Sequence, residues 1–245
     1  MEPIYAQNFK INDAAVDRFG RLKPSMMLFY IQETAGQHCS LLSLDHETLA
    51  KKRLFWAVTR HRLQVTRLPH SGETIRVETW PMPTTKVAYP RSVVAYDENG
   101  EEVFRAISLW VLMNLDSRSM VLPCSSGITV DGTLRGTELA LPGSLMPVPF
   151  ANSFSRKVCF TDLDRNGHMN NTRYLDWALD LLPSSFHEDH PLREMTVCYS
   201  AEAREGQELQ LHYDAGDTGG VRMEFRRENG SEKPERVFSA RLIFD

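Results

Sequence analysis

The chain is 245 residues long, with 42% hydrophobic and 24% charged residues and a formal net charge of −4. That balance belongs to a folded, water-exposed protein rather than to a disordered or membrane-embedded one. The negative charge removes any bulk attraction for nucleic acid, and no apolar stretch approaches the length of a membrane span.

The opening "MEPIYAQNFKIND" has no basic and then apolar run, so no export signal is expected and no membrane insertion. The first helix is predicted from about Pro24 to Leu44, with Pro early and Met27, Ile31, Thr34, Ala35, His38 and Leu42 at helical spacing. Lys51, Lys52 and Arg53 after it read as a solvated basic face. "FWAVTRHRLQVT" (55–66) and "SGETIRVET" (71–79) carry the β-branched and aromatic runs of strands. "VVAYDENGEEVFRAISLWVLMN" (93–114) reads as two strands joined around Glu-Asn-Gly, a strong hairpin signal.

From Val121 to Ala151 the chain is rich in Pro, Gly, Ser and Thr, without sustained periodicity, and reads as an interdomain connection. The expected division is 1–123, a linker over 124–150, and 151–245. After it, "SFSRKVCF" (153–160) reads as a strand. A second helix is expected to start near Asn171 as cap and to end at Pro183, with Tyr174, Leu175, Ala178, Leu181 and Leu182 on its apolar face. "HEDH" (187–190) reads as a polar surface loop, and the strands close the chain. Cys39, Cys124, Cys159 and Cys198 are too scattered for a zinc knuckle or a disulfide framework, which fits reduced thiols in a cytoplasm.

The two halves resemble each other. "VDRFGRLKPSMML" (16–28) aligns without a gap on "LDRNGHMNNTRYL" (163–175), matching Asp17 to Asp164, Gly20 to Gly167 and Leu28 to Leu175. "SGETIRVET" parallels "EGQELQLHY" (205–213), and the first hairpin parallels "RMEFRRENGSEKPERVFSARLIFD" (222–245). One helix and several antiparallel strands per half imply an α+β fold of two similar units packed as a pseudo-dimer.

"TDLDRNGHMNNTRYLDW" (161–177) admits three readings: a calcium loop, a decorated helix start, or an active site. Asp162, Asp164, Asn166 and Gly167 fit the start of an EF-hand loop, but its twelfth position, where the metal needs a bidentate Glu, holds Arg173. Helix capping explains part of the motif, notably Asn170 and Asn171. The repeat is an internal control: a cap needed by the fold should persist in both halves, whereas a chemical site needs to survive once. Asn166 and His168 face Phe19 and Arg21 in the first copy, and Glu202, counted back from the matched Gly206 and Gly72, faces Leu68. That asymmetry favours one site built from Asp164, Asn166, His168 and Glu202 beside a helix N-terminus, able to activate water and receive an oxyanion.

"TDLDRNGHMNNTRYLDWALDLLP" resembles the Asp-x-Asn-x-His-x-Asn-Asn segment of the acyl-acyl-carrier-protein thioesterases of plant plastids and bacteria. "IQETAGQH", "RLFWAVTRHRLQVTRLPHSGETIRVETW" and "SLWVLMNLDSRSMVLP" resemble the first half of that family, so the likeness covers nearly the whole chain. It implies two tandem hotdog folds and hydrolysis of the thioester between a fatty acyl chain and acyl carrier protein, with no cofactor and no metal. The family's catalytic Asp, Asn, His and strand Glu fall on Asp164, Asn166, His168 and Glu202. The residue after that Glu is often Cys in plant members and is Ala203 here, which removes a cysteine nucleophile at that place.

The first half, having lost its polar site, is expected to supply the acyl pocket. Met26, Met27, Leu28, Phe29 and Ile31 on its helix form a soft apolar set, and Met27, Ile31, Trp56 and Asn171 are the expected substrate-binding residues. Backbone N–H groups near Asn171 would take the oxyanion. Acyl-coenzyme A hydrolysis, acyl-thioester hydration or dehydration, and non-catalytic acyl binding are the alternatives, since fold alone does not fix reaction type. No Gly-x-Ser-x-Gly occurs, which leaves serine-hydrolase chemistry unsupported, and a homodimer is compatible with the sequence.

Overall fold

A computed structural model describes residues 4–135, 139–215, 220–228, 230 and 233–245. The chain forms two compact units, Met1–Pro142 and Gly143–Asp245.

In the first unit the elements run β1 (Tyr5–Lys10), α1 (Pro24–Leu41), α2 (His46–Lys51), β2 (Leu54–Val65), β3 (Thr74–Pro81), β4 (Tyr89–Tyr96), β5 (Glu102–Asn114), β6 (Met120–Val121) and α3 (Pro123–Ser126). The antiparallel sheet has the order β1-β3-β4-β5-β2, with β6 beside β5. Proline opens α1, where its missing N–H costs nothing. The helix lays Met27, Ile31, Thr34, Ala35 and His38 against the sheet, packing mainly on β3. It stops at Leu41, short of the expected Leu44, because the chain turns through Ser43 at φ 56° and Asp45 then caps α2 by accepting from the Thr48 N–H at 2.9 Å. The hairpin turn at Asp97–Gly100 is as expected: the Asp97 carboxylate accepts from the Asn99 and Glu101 N–H groups, and Gly100 takes φ 82°.

The second unit runs β7 (Asn152–Lys157), α4 (Asn171–Asp180), α5 (Ser184–Asp189), β8 (Leu192–Tyr199), β9 (Glu208–Ala215), β10 (Gly220–Arg227) and β11 (Glu235–Phe244). Its strands pair antiparallel in the order β7-β9-β10-β11-β8, the order of the first unit element for element. The matching Glu-Asn-Gly turn cannot be compared, since Asn229 lies outside the described residues. Tyr174, Leu175, Ala178 and Leu182 are buried as expected, joined by Trp177, and Leu181 is half-buried as the C-cap of α4.

Three expectations are corrected. The helix cap of α4 is Asn170 rather than Asn171: its Oδ1 accepts from the Thr172 N–H at 3.0 Å, and Asn171 is the first helical residue. Each unit holds short helices besides the long one, and "HEDH" lies largely on α5, where the His187 ring bonds the Leu179 carbonyl at 3.0 Å and the His190 ring bonds the Phe186 carbonyl at 2.9 Å. Cys159 is two residues past β7, exposed, at the cap of a single 3-10 turn over Phe160–Asp162.

The stretch expected as a linker lies along folded structure. Ser126 Oγ meets the Tyr89 hydroxyl at 2.8 Å, the Thr133 N–H donates to the Pro81 carbonyl at 2.9 Å, and Arg135 pairs with Glu78 at 3.1 Å and covers the Trp80 ring. A Cβ on Gly132 would fall 2.2 Å from the Met82 backbone, so only glycine fits there. Beyond Pro142, the Leu145 and Met146 carbonyls accept from Arg236 and Arg222.

On β2, His61 is fully buried with Nδ1 2.7 Å from Ser108 Oγ. Burial pushes its pKa down from 6.5 to about 3. Between those values the unfolded chain binds a proton that the folded chain refuses, so stability falls as pH falls, by up to about 1.4 kcal/mol per pH unit. His61→Gln is expected to flatten the dependence of the urea midpoint on pH between about 6 and 4 relative to the native chain; equal slopes would show that His61 titrates freely in the folded state.

Candidate active site

The site is built on a loop that both units share. In the second unit Asp164 Oδ1 accepts from the Asn166 N–H at 2.8 Å and the His168 N–H at 3.2 Å, and the loop closes with Asp164 N–H to the His168 carbonyl at 2.8 Å. Gly167 takes φ 75°, where a side chain would be strained. In the first unit Asp17 Oδ1 accepts from Phe19 and Arg21 N–H groups at 2.8 and 3.0 Å, Asp17 N–H bonds the Arg21 carbonyl at 2.8 Å, and Gly20 takes φ 76°. The aspartate therefore has a folding role in both copies.

What the loops present differs. The second Asp17 oxygen ion-pairs with the Arg21 Nε at 3.2 Å, and the Arg21 guanidinium lies 4.5 Å from the centre of the Phe19 ring. In the second unit Asn166 Nδ2 reaches Asp164 Oδ2 at 3.4 Å, and the His168 side chain is only 16% exposed, with Nε2 3.1 Å from Glu202 Oε2. Glu202, expected on a strand, stands instead on the β8–β9 loop, tied to the His168 loop by the Met169 N–H donating to the Ala203 carbonyl at 2.8 Å. The first unit repeats that tie with Leu22 N–H to the Pro69 carbonyl at 2.7 Å, which confirms the pairing of Glu202 with Leu68.

Asp164, Asn166, His168 and Glu202 thus come together in one unit. Asn171 opens α4 next to them; as the first helical residue its N–H has no intrahelical acceptor, whereas the Thr172 and Arg173 N–H groups both bond Asn170. The Asn171 carbonyl accepts from the Tyr199 hydroxyl at 3.0 Å. Met27, Ile31 and Trp56 belong to the first unit. Met27 and Ile31 are fully buried on α1, while the Trp56 Nε1–H donates to the Leu44 carbonyl at 3.0 Å and its ring meets Tyr89 edge-on. Of the soft apolar set, Phe29 points outward at 45% exposure, a correction that follows from its place beside Leu28 and Tyr30, both of which take the inward face.

The calcium reading falls on geometry as well as on Arg173. Asp162 is buried, its oxygens accepting from the Trp177 Nε1–H at 3.2 Å and the Cys159 N–H at 3.0 Å, and Arg173 lies 3.5 Å from it. Among the described residues no three His, Cys, Asp or Glu side chains group as metal ligands. Sequence reasoning also passes over two contacts on the Glu202–Ala203 peptide, the Ala203 N–H donating to the Tyr174 hydroxyl and Arg227 donating to the Glu202 carbonyl. The signal for Tyr174 lies in the repeat: the gapless alignment sets it against Met27, a hydroxyl against a thioether.

A family model described as the acyl-ACP thioesterase N-terminal domain matches residues 2–123, and the acyl-ACP thioesterase C-terminal domain matches residues 150–240. The chloroplastic palmitoyl-acyl carrier protein thioesterase of Gossypium hirsutum is 30% identical over 222 residues, covering 84% of this chain and 54% of that protein. The chain spans about half the length of the curated relatives it matches. Among solved structures, an acyl-ACP thioesterase from Bacteroides thetaiotaomicron superposes with a TM-score of 0.84 at 24% identity, covering 99% of this chain and 98% of that one. The 12:0-ACP thioesterase from Umbellularia californica gives 0.83 at 22% identity, covering 100% and 98%. At these identities the likeness is one of fold, and it makes each unit a hotdog, as the resemblance implied.

The shared loop makes a paired prediction. Asp17→Ala and Asp164→Ala each remove one acceptor from two backbone N–H groups and should each lower the unfolding free energy by about 1–3 kcal/mol, while the Asn variants, which keep an Oδ1 acceptor, should lose less. Denaturant titration of the four variants checks this; an Asp164→Ala chain of native stability would deny the folding role.

Proposed function

This chain belongs to the acyl-ACP thioesterase family, and we propose that it hydrolyses the thioester of fatty acyl-[acyl carrier protein], releasing the free fatty acid. The observation that carries the reading is the His168–Glu202 pair at 3.1 Å, beside a helix start, in the one unit whose loop has both groups. The curated relatives named as acyl-carrier-protein thioesterases or hydrolases support the substrate class.

In the proposed reaction the His168–Glu202 pair orients a water and takes its proton as the water oxygen attacks the thioester carbonyl carbon. Asn166, exposed at the loop tip, holds the water or polarises the carbonyl, and the orphan Asn171 N–H receives the developing oxyanion. Collapse of the tetrahedral intermediate breaks the C–S bond, and the proton passes to the departing thiolate of the carrier's prosthetic arm. Asp164 acts by folding the loop that presents Asn166 and His168. Met27 and Ile31 of the first unit belong, in this reading, with the acyl chain, together with Trp56. Glu202 and the Asn170–Asn171 pair favour hydrolysis over hydration. The four free cysteines support a reducing, cytoplasmic setting.

Purified protein offered acyl-carrier-protein and acyl-coenzyme A thioesters of several lengths, with free thiol measured, is expected to turn over the carrier-bound substrates. His168→Ala and Glu202→Gln should each lower kcat by about 100- to 10,000-fold. Cys159→Ser should not change it. Failure to release thiol from any substrate would overturn the enzymatic reading, and full activity in His168→Ala would overturn its mechanism.

A further inference from the structure

Glu202 is 43% exposed and stands in a loop outside the sheet, so something other than core packing must aim its carboxylate at His168. The peptide unit between Glu202 and Ala203 is held at both ends by side chains. Its carbonyl, that of Glu202, accepts from the Arg227 Nη1 at 2.6 Å, and its N–H, that of Ala203, donates to the Tyr174 hydroxyl at 3.2 Å. With the chain before it held by the Ser200 N–H on the Val237 carbonyl at 2.9 Å, fixing that plane restricts ψ of Glu202, and with it the direction of the Cα–Cβ bond relative to His168.

Both clamps are themselves rigid. Tyr174 is 2% exposed on α4, stacked on Phe238 at 5.2 Å and Phe225 at 6.4 Å. Arg227 ends β10, where its Nε and Nη2 grip Glu235 at 2.9 and 2.6 Å, leaving Nη1 directed at Glu202 and at Gln207 Oε1, 3.0 Å away. A fork held this way loses little side-chain entropy on making its third contact.

The first unit is again the control. It keeps the loop, the strand order and the Leu22-to-Pro69 tie, but Tyr174 is matched by Met27, which has no hydroxyl, and Ala203 by Pro69, which has no N–H to give. The clamp is absent where the Glu and His are absent. A contact needed only for packing has no reason to vanish together with them.

We propose that Tyr174 and Arg227 are positioning residues that hold the Glu202–Ala203 peptide and thereby set the His168–Glu202 pair. The inference rests on the catalytic reading of that pair given above, and a double-mutant design separates the two. Tyr174→Phe keeps the ring packing and removes only the hydroxyl; Arg227→Gln releases the other end of the peptide. Each is expected to lower kcat about 10- to 100-fold with KM within about twofold, in line with the cost of ångström-scale misplacement. In a Glu202→Gln background the same changes should lower the residual rate by less than about twofold, because the group they aim is already gone. Amide exchange gives a readout without turnover: Tyr174→Phe should speed exchange at Ala203 while β8 and β11 amides keep their protection. Equal losses in both backgrounds, or native kcat in Tyr174→Phe and Arg227→Gln with Glu202→Gln inactive, would overturn the positioning role alone. Native activity in Glu202→Gln would overturn the catalytic reading and this inference with it.

Discussion

A carboxylate that accepts two backbone N–H groups governs how this chain passes from strand to helix. Asp17 and Asp164 each draw the second and fourth following amides onto one oxygen, and the glycine between them takes the left-handed conformation that closes the turn. The turn brings the residue four beyond the aspartate against a later strand loop of the same unit: Arg21 bridges His70, and His168 bridges Arg204. Without that turn neither α1 nor α4 would begin where it does, and no side chain at position 168 would face one at position 202.

Because the backbone requirement is met by Asp and Gly alone, the remaining loop positions are free to diverge. In the first unit they become structural. Arg21 neutralises the spare Asp17 oxygen and lies over Phe19, a cation–π contact worth about 0.5–1 kcal/mol in an exposed setting. In the second unit the same positions carry an amide exposed at the loop tip and an imidazole largely covered beside Glu202. The fold does not require these residues, since the first unit closes the same turn without them, and that difference supports the chemical reading proposed for the second copy.

Much of this was legible in the sequence, because the legible parts depend on local chemistry. Proline at the start of α1, glycine in the turns, and the Asp97–Gly100 hairpin are dictated by backbone sterics over a few residues, and they fell where expected. The helix ends were less legible: Leu42 and Leu44 continue the helical spacing of α1, yet Asp45 captures the Thr48 N–H and starts a new helix, and two competing local signals three residues apart cannot be ranked from spacing. Asn170 and Asn171 are chemically the same cap, and only the φ, ψ of the folded turn selects Asn170. The difference between the copies was legible, whereas the contacts on the Glu202–Ala203 peptide were not, because Arg227 is 25 residues away and donates to a carbonyl that every residue possesses.

In the proposed reaction the His168–Glu202 contact meets a general problem of loops that do chemistry: the side chains must be accessible, and accessible loops are mobile. Here the difficulty is met through the backbone rather than through the side chains. Ser200 N–H is anchored to the Val237 carbonyl at 2.9 Å, Met169 N–H to the Ala203 carbonyl at 2.8 Å, and the intervening peptide to Tyr174 and Arg227. Each anchor is a main-chain group, so none of them draws on the Glu202 carboxylate, one of whose oxygens meets the imidazole. The peptide unit supplies a pair of hydrogen-bonding handles separate from the side chain, so the direction of the chain at Glu202 is set through groups that every residue possesses.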